Sequence, residues 1–392
     1  MTGAEGSPAD PLDPGRTPRH GDVSRLRVAM TLEQCWQPVP GGSGTYIVEL
    51  ARALGSLGDV DVVGLAARHG SDEQPLLDAG VPVRKSRLPR PALYESWNRL
   101  RRPLAEDLVD TDVVHATTWA VPGTRRPLVV TVHDLAFLRE PAHFTARGNA
   151  FFRRALRIVR DEADRVVVPS GATADECVAE GIEPRRVEIV PHGVRAEDVD
   201  RTARAAWRRR FDVPGPYVLW CGTLEPRKNV PTLVEAFARA RRAGLADHTL
   251  VLVGPEGWGA AADQVRRALD QLPADAVRLL GRLDHADLQA AYAEADVFAF
   301  PSVREGFGMP VLEAMAHGVP VVTTRGSAMA EFTGQHAELV GAEDADDIAQ
   351  GLVRAAGSSD LDRAEIRTHA ERYSWDSAAR AHVRVYRAVV SS

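Results

Sequence analysis

Four groups of residues carry chemistry by type and spacing. Glu305 and Glu313 flank the turn Gly306-Phe307-Gly308-Met309, eight positions apart. Pro310 suits a first helical position, and Gly318 and Pro320 stop a helix, so one is expected from Pro310 to His317. That spacing does not put two carboxylates on one helix face. One acid precedes the turn and the other follows it in the first or second helical turn. Both can then line one small pocket, with backbone amides of Gly306 to Met309 between them. Carboxylates accept hydrogen bonds from paired hydroxyls, so a sugar and a ribose are suitable occupants. The bland alternative is that Glu313 complements its helix dipole and Glu305 is solvated.

Arg227 and Lys228 stand in Gly222-Thr223-Leu224-Glu225-Pro226-Arg227-Lys228-Asn229, after an apolar run. Two adjacent cations beside a glycine turn suit a pyrophosphate, Arg as a bidentate clamp and Lys as a compact charge. Adjacent surface cations are more often simply solvated. His133-Asp134 ends the apolar run Leu128–Val132. It is either a hydrogen-bonded cap or a histidine placed at a reacting group, since imidazole donates or accepts near neutral pH. Gly41-Gly42-Ser43-Gly44-Thr45 follows the first apolar run and opens a helix, where backbone amides can approach an anion. It fits neither GxGxxG nor a phosphate loop, which weakens dinucleotide and NTPase readings.

The elements that must position these groups alternate between short β-branched runs and amphipathic stretches, the signature of a helix-covered parallel sheet. Strands are expected near Leu26–Met30, Val60–Leu65, Asp112–His115, Leu128–Val132, Arg165–Pro169 and Arg186–Val190. Helices are expected over Gly44–Leu54, Gly148–Arg160 and Ala172–Glu180. A polar, Arg-rich connection from Arg201 to Arg210 precedes a fresh series, with strands at Tyr217–Cys221, Thr249–Val253, Val277–Leu280, Asp296–Phe300 and Val319–Thr323. This predicts two α/β domains, over 26–200 and 212–373, then a final helix Ser377–Val390 within 374–392. The unusual residues fall just after strands, where ligands bind in open α/β sheets.

Composition bounds the rest. A length of 392 residues suits two domains, and a net charge of −6 argues against nucleic acid as the main partner. Residues 1–25, rich in Pro, Gly, Asp and Arg, read as a disordered tail without the apolar core of a secretory signal. No run is long enough to span a bilayer, so a cytoplasmic protein is expected. Cys35, Cys177 and Cys221 are few and far apart, and read as free thiols rather than a disulfide or metal framework. Arg147, Arg153, Arg154, Arg157 and Arg160 beside Phe151 and Phe152 suit peripheral contact with an anionic inner membrane face, although a solvated helix with an apolar core side is the commoner explanation. Trp36, Tyr94, Trp97, Trp119 and Phe137 could line an acceptor site or fill core.

Taken in order, the Gly-rich turn, GTLEPRKN, Gly281-Arg282-Leu283 and the Glu305–Glu313 stretch resemble family 4 of the glycosyltransferases, from about Leu26 to Val390. The resemblance implies the GT-B fold, in which two Rossmann-like domains face across a cleft and a C-terminal helix crosses back to the N-terminal domain. It also implies retention of anomeric configuration and a nucleotide-diphosphate sugar as donor substrate, with no cofactor. Separately, the sequence offers no Asp-x-Asp after a strand in a metal-binding context, so Arg227, Lys228 and helix N-termini rather than a metal are expected to meet the charge. By position, Gly42 would approach the donor phosphates together with Gly222, and His133 would lie by the transferred sugar. Arg227 and Lys228 would bind the pyrophosphate, and Arg282 and Leu283 would edge the base. Glu305 would hold sugar hydroxyls with the turn Gly306, Phe307, Gly308 and Met309, while Glu313 would take the ribose. The look of GTLEPRKN followed by FPSVREGFGMPVLEAMA favours GDP-mannose over UDP- or dTDP-hexoses, with a glycan or lipid-linked acceptor. Two departures stand out: Thr223 where many members carry Arg or Ser, and Ser327-Ala328-Met329-Ala330-Glu331 without a proline before the glutamate. The rival readings are a nucleotide-sugar 2-epimerase, a phosphorylase, a glycosidase using both glutamates, and a non-catalytic nucleotide-sugar binding protein.

Overall fold

A computed structural model describes residues 25–70, 74–141, 144–255 and 260–392, with the side chains of 260–262 excluded. The expected tail lies outside the described residues except for Arg25.

The first sheet has seven parallel strands in the order β3-β2-β1-β4-β5-β6-β7. They are β1 Leu26–Thr31, β2 Val60–Ala66, β3 Val83–Lys85, β4 Val113–Ala116, β5 Leu128–Thr131, β6 Arg165–Val168 and β7 Val187–Ile189. Helices α1 Gly41–Leu57, α2 Arg90–Leu100, α3 Ala136–Arg139, α4 Ala146–Glu162 and α5 Gly171–Ala179 connect them. The second sheet has six parallel strands in the order β10-β9-β8-β11-β12-β13. These are β8 Tyr217–Cys221, β9 Thr249–Val253, β10 Val277–Gly281, β11 Val297–Phe300, β12 Val321–Thr324 and β13 Ala337–Val340. Around them lie α6 Arg201–Arg210, α7 Val230–Arg242, α8 Ala260–Leu269, α9 His285–Ala293, α10 Met309–Ala316, α11 Ala328–Thr333, α12 Ala345–Ala356 and α13 Asp360–Ala370. The central strands are buried along their whole length, as parallel strands covered on both faces must be.

The last helix, α14 Trp375–Val390, belongs to the first sheet by packing. Trp375, Ala379, Val383 and Tyr386 join Val28, Met30, Tyr46 and Leu50 in one apolar cluster. The chain crosses between domains twice at one place: Val194 and Ser374 form a parallel bridge, and the Val194 amide donates to the Tyr373 carbonyl at 2.8 Å.

Several expectations are corrected. The stretch 201–210 is not an irregular connection but helix α6, started by the Asp200 side chain and anchored by buried Trp207 in the second domain's core. Helix α1 begins at Gly41 rather than Gly44 and does not follow β1 directly, because a 3-10 turn over Glu33–Trp36 intervenes. Strands β3 and β13, and helix α2, went unpredicted. Trp97 and Phe137 are buried core residues. Phe151 stacks on Tyr94 at 5.9 Å and Phe152 packs against Phe137 and Phe144. Among the described residues no helix is long and apolar enough to cross a membrane. Cys35, Cys177 and Cys221 are free.

Candidate active site

The cations come from the end of β8. After Cys221 the chain makes a short 3-10 turn over Pro226–Lys228, then Asn229 adopts a left-handed conformation (φ 59°) and starts α7. The Asn229 side-chain amide donates to the carbonyls of Pro301 (3.1 Å) and Ala342 (2.5 Å), and the Val303 amide donates to the Arg227 carbonyl at 2.9 Å. These bonds strap the cation-bearing turn to the loop after β11 and, through Ala342, to the end of β13.

That loop carries Glu305. Its carboxylate lies 2.7 Å from Lys228 Nζ and 2.8 Å from Arg227 Nη1, with the Glu305 and Lys228 side chains almost wholly buried. Lys228 also sits 4.7 Å from the Phe300 ring centroid, and Arg227 is paired to Glu225 at 3.0 Å. Burial works against charge on Glu305, but Lys228 and Arg227 outweigh it and hold the carboxyl below its ordinary range. Glu313 stands in the second turn of α10 and accepts from the Tyr292 hydroxyl at 2.8 Å. Burial pushes its carboxyl up, opposed by that bond. The two acids therefore differ: one is clamped as an anion between cations, the other is near a single neutral donor.

Gly306 and Gly308 shape the turn between them. A Cβ on Gly306 would lie 1.8 Å from the His133 carbonyl oxygen, so only glycine lets the two domains touch there. Gly308 caps α10 at φ 95°, where a Cβ would meet Met329 at 2.5 Å. Phe307 turns inward, stacked on Phe332 and edge-on to His192, while Met309 meets Gly42 of the first domain at 3.6 Å from where a Cβ would stand. The glycine-rich start of α1 thus faces the second domain's turn across the cleft.

His133 follows β5. Its Nε2 donates to the Thr117 carbonyl at 3.0 Å, which leaves the lone pair on Nδ1. Burial lowers its pKa, partly opposed by Asp134, so the ring is neutral near pH 7. A cavity of about 180 Å³ lies between the domains, bounded by Asp134, Thr173, Arg227, Glu305, Gly306 and Ser327. Arg282 is exposed and Leu283 half-buried beyond β10, two strands from β8. The order β10-β9-β8-β11 therefore places Arg282, the Gly222 turn and Glu305 along one sheet edge. Its three interstrand spacings amount to about 14 Å.

The structure thus brings Arg227, Lys228, Glu305, Gly306 and His133 together. It places Gly42 opposite Met309, and Glu313 with Tyr292 on the far side of the turn. Sequence reasoning passed over Tyr292, Asn229 and Glu225, whose types are unremarkable in a helix, a helix start and a loop. It also passed over Ser170, Thr173 and His192, whose contacts with Gly306 and Phe307 cross the domain interface.

Comparison with known proteins gives the class. Residues 40–198 match the family model described as Glycosyltransferase Family 4, and residues 215–357 the one described as Glycosyl transferases group 1. The chain is 33% identical to a D-inositol 3-phosphate glycosyltransferase of Geodermatophilus obscurus, over 89% of this chain and 85% of that protein. It is 24% identical to O-antigen chain mannosyltransferase B of Escherichia coli, over 92% of this chain and all of the relative. Among solved structures, HepE from Anabaena in complex with UDP and glucose superposes with a TM-score of 0.70 at 18% identity, over 93% of this chain and all of that one. Fold and site together define an α/β glycosyltransferase of the two-domain GT-B type. The chain belongs to glycosyltransferase family 4.

Proposed function

We propose that this enzyme is a retaining, metal-independent transferase that moves a hexose from a nucleoside diphosphate to a glycan or lipid-linked acceptor, with GDP-mannose the favoured donor. The observation that carries the reading is Glu305 held by Lys228 and Arg227 in the cleft wall beside His133. Breaking the bond between the anomeric carbon and the phosphate oxygen leaves negative charge on the diphosphate and positive charge on the sugar. Lys228 and Arg227 meet the first, Lys228 from an almost wholly buried side chain. Glu305 accepts hydrogen bonds from sugar hydroxyls and holds the ring over the turn. His133 accepts at Nδ1 from the sugar, and Glu313 takes the ribose hydroxyls. The acceptor oxygen attacks from the leaving group's own face, and the departing phosphate takes its proton, so configuration is kept. Orientation between two domains supplies the remaining rate.

The mannose preference draws support from the name of the Escherichia coli relative, whereas the other relative's name points to a phosphorylated inositol as acceptor. A thermal-shift screen across GDP-, UDP- and dTDP-sugars tests the donor, because selective binding to the folded state raises its melting temperature. GDP-mannose is expected to give the largest shift. A larger shift with a UDP- or dTDP-hexose moves the donor, and no shift with any nucleotide sugar overturns the reading. Transfer in the presence of a chelator tests metal independence. Donor consumption without acceptor separates a 2-epimerase from a transferase.

A further inference from the structure

The start of α5 is held by the other domain as well as by its own cap. Ser170 caps α5, and its hydroxyl donates to the Gly306 carbonyl at 2.7 Å, joined by the Thr173 hydroxyl at 3.2 Å. Both hydroxyls belong to buried residues. The first two amides of α5, on Gly171 and Ala172, donate to the Glu331 carboxylate at 2.7 and 2.8 Å. Glu331 stands on α11, whose start is already capped by the Ser327 side chain. Its carboxylate therefore serves the other domain's helix, at the end where a negative charge is favourable. The Arg304–Glu176 ion pair at 2.6 Å joins α5 to the loop that carries Glu305, although half-exposed Arg304 makes it a weak contributor.

Gly306 is gripped from two sides. Its Cα presses on the His133 carbonyl, and its own carbonyl is held by Ser170 and Thr173. The residue before it is Glu305. None of these interdomain bonds uses a group that the transfer chemistry requires, yet together they fix the distance between the sugar-holding acid and His133. A second tie between the domains is the Val194–Ser374 bridge between the two crossing segments.

We infer that Ser170, Thr173 and Glu331 are positioning residues that form an interdomain latch, seating the Glu305–Gly306 turn against His133 and so defining the reactive, closed cleft. Its catalytic consequence rests on the transferase reading above, while its structural content rests on the domain contacts alone.

The test compares wild type with Glu331→Ala, Glu331→Gln and Thr173→Val. Small-angle scattering, with and without saturating GDP or UDP, reads domain separation and needs no turnover. Calorimetry reads nucleotide affinity, and steady-state kinetics with GDP-mannose reads kcat, KM and the share of donor lost to water. Glu331→Ala is expected to enlarge the radius of gyration and to leave nucleotide affinity unchanged. It should lower kcat about tenfold or more, the factor carried by one charge-assisted hydrogen bond, with little change in KM. Hydrolysis should rise as water enters the cleft. Glu331→Gln, which keeps one side-chain oxygen, should restore part of each effect. Wild-type scattering and wild-type kcat in all three variants would overturn the latch, as would a loss of nucleotide affinity in step with kcat. If Glu331→Ala does not fold, the shape-conserving Glu331→Gln and Thr173→Val decide. If no donor is turned over, the transferase reading fails and the scattering result alone judges the latch.

Discussion

Lys228 and Glu305 depend on each other before any donor arrives. Each side chain is almost fully buried, and neither could stay charged there unpaired. Lys228→Ala is expected to cut transfer by about 10²–10³-fold, the cost of removing one preorganised charge-stabilising donor. Its far-ultraviolet circular dichroism should stay native, since Arg227 still pairs with Glu305. Glu305→Gln strands two cations, and a loss of about 3 kcal/mol of stability is expected, read by denaturant unfolding. The pH dependence follows from the lowered folded pKa of Glu305. Its stabilising contribution is complete above the ordinary glutamate pKa of about 4.3 and is lost as pH falls through the lower folded value. The stability gap between wild type and Glu305→Gln should therefore be constant near neutrality and close in acid. These residues were legible in the sequence because acids and cations flanking glycine turns after strands have few structural uses. Tyr292 was not, because a tyrosine in a helix says nothing about the glutamate it will meet. Glu331 was visible only as part of a loop, since its partners on α5 lie some 160 positions away.

Among the elements, the loop from β11 to α10 is the most constrained. Gly306→Ala places a Cβ on the His133 carbonyl, which cannot move without dragging β5. Nucleotide binding on the second domain should survive this change while transfer is lost, as calorimetry and a donor-consumption assay together would show. The long apolar runs announced their strands and lost at most a residue or two at their ends. Short edge strands β3 and β13 escaped because Val83-Arg84-Lys85 and Ala337-Glu338-Leu339-Val340 are too short to display a pattern. Helix α6 escaped for a related reason: Arg201, Arg204, Arg208, Arg209 and Arg210 hide its single deep anchor, Trp207. Periodicity detects faces, and α6 is held mainly by one residue and by the Arg208–Glu294 ion pair at 2.5 Å.

In the whole molecule, α14 meets the first domain through a buried polar chain. Tyr386 bonds His115 Nδ1, His115 Nε2 bonds Thr131, Thr131 bonds Tyr46, and Tyr46 bonds His382, each within 2.9 Å. Burial lowers the pKa of His382 to about 4 and holds His115 and His192 well below the ordinary value. Protons therefore bind the unfolded chain first as pH falls below about 6.5, and stability declines over that range. About 2 kcal/mol should be lost per neutral buried histidine by pH 5, read as a falling melting temperature between pH 7 and pH 5. His115→Gln should shrink that slope. The order of biosynthesis gives this packing a further meaning. The apolar surface of the first domain formed by Val28, Met30, Tyr46 and Leu50 is translated early, yet its cover begins only at Trp375. A nascent chain must carry that apolar surface through the synthesis of the entire second domain. The domain made first is thus the one completed last, and a gene fragment ending at the hinge would encode an aggregation-prone half.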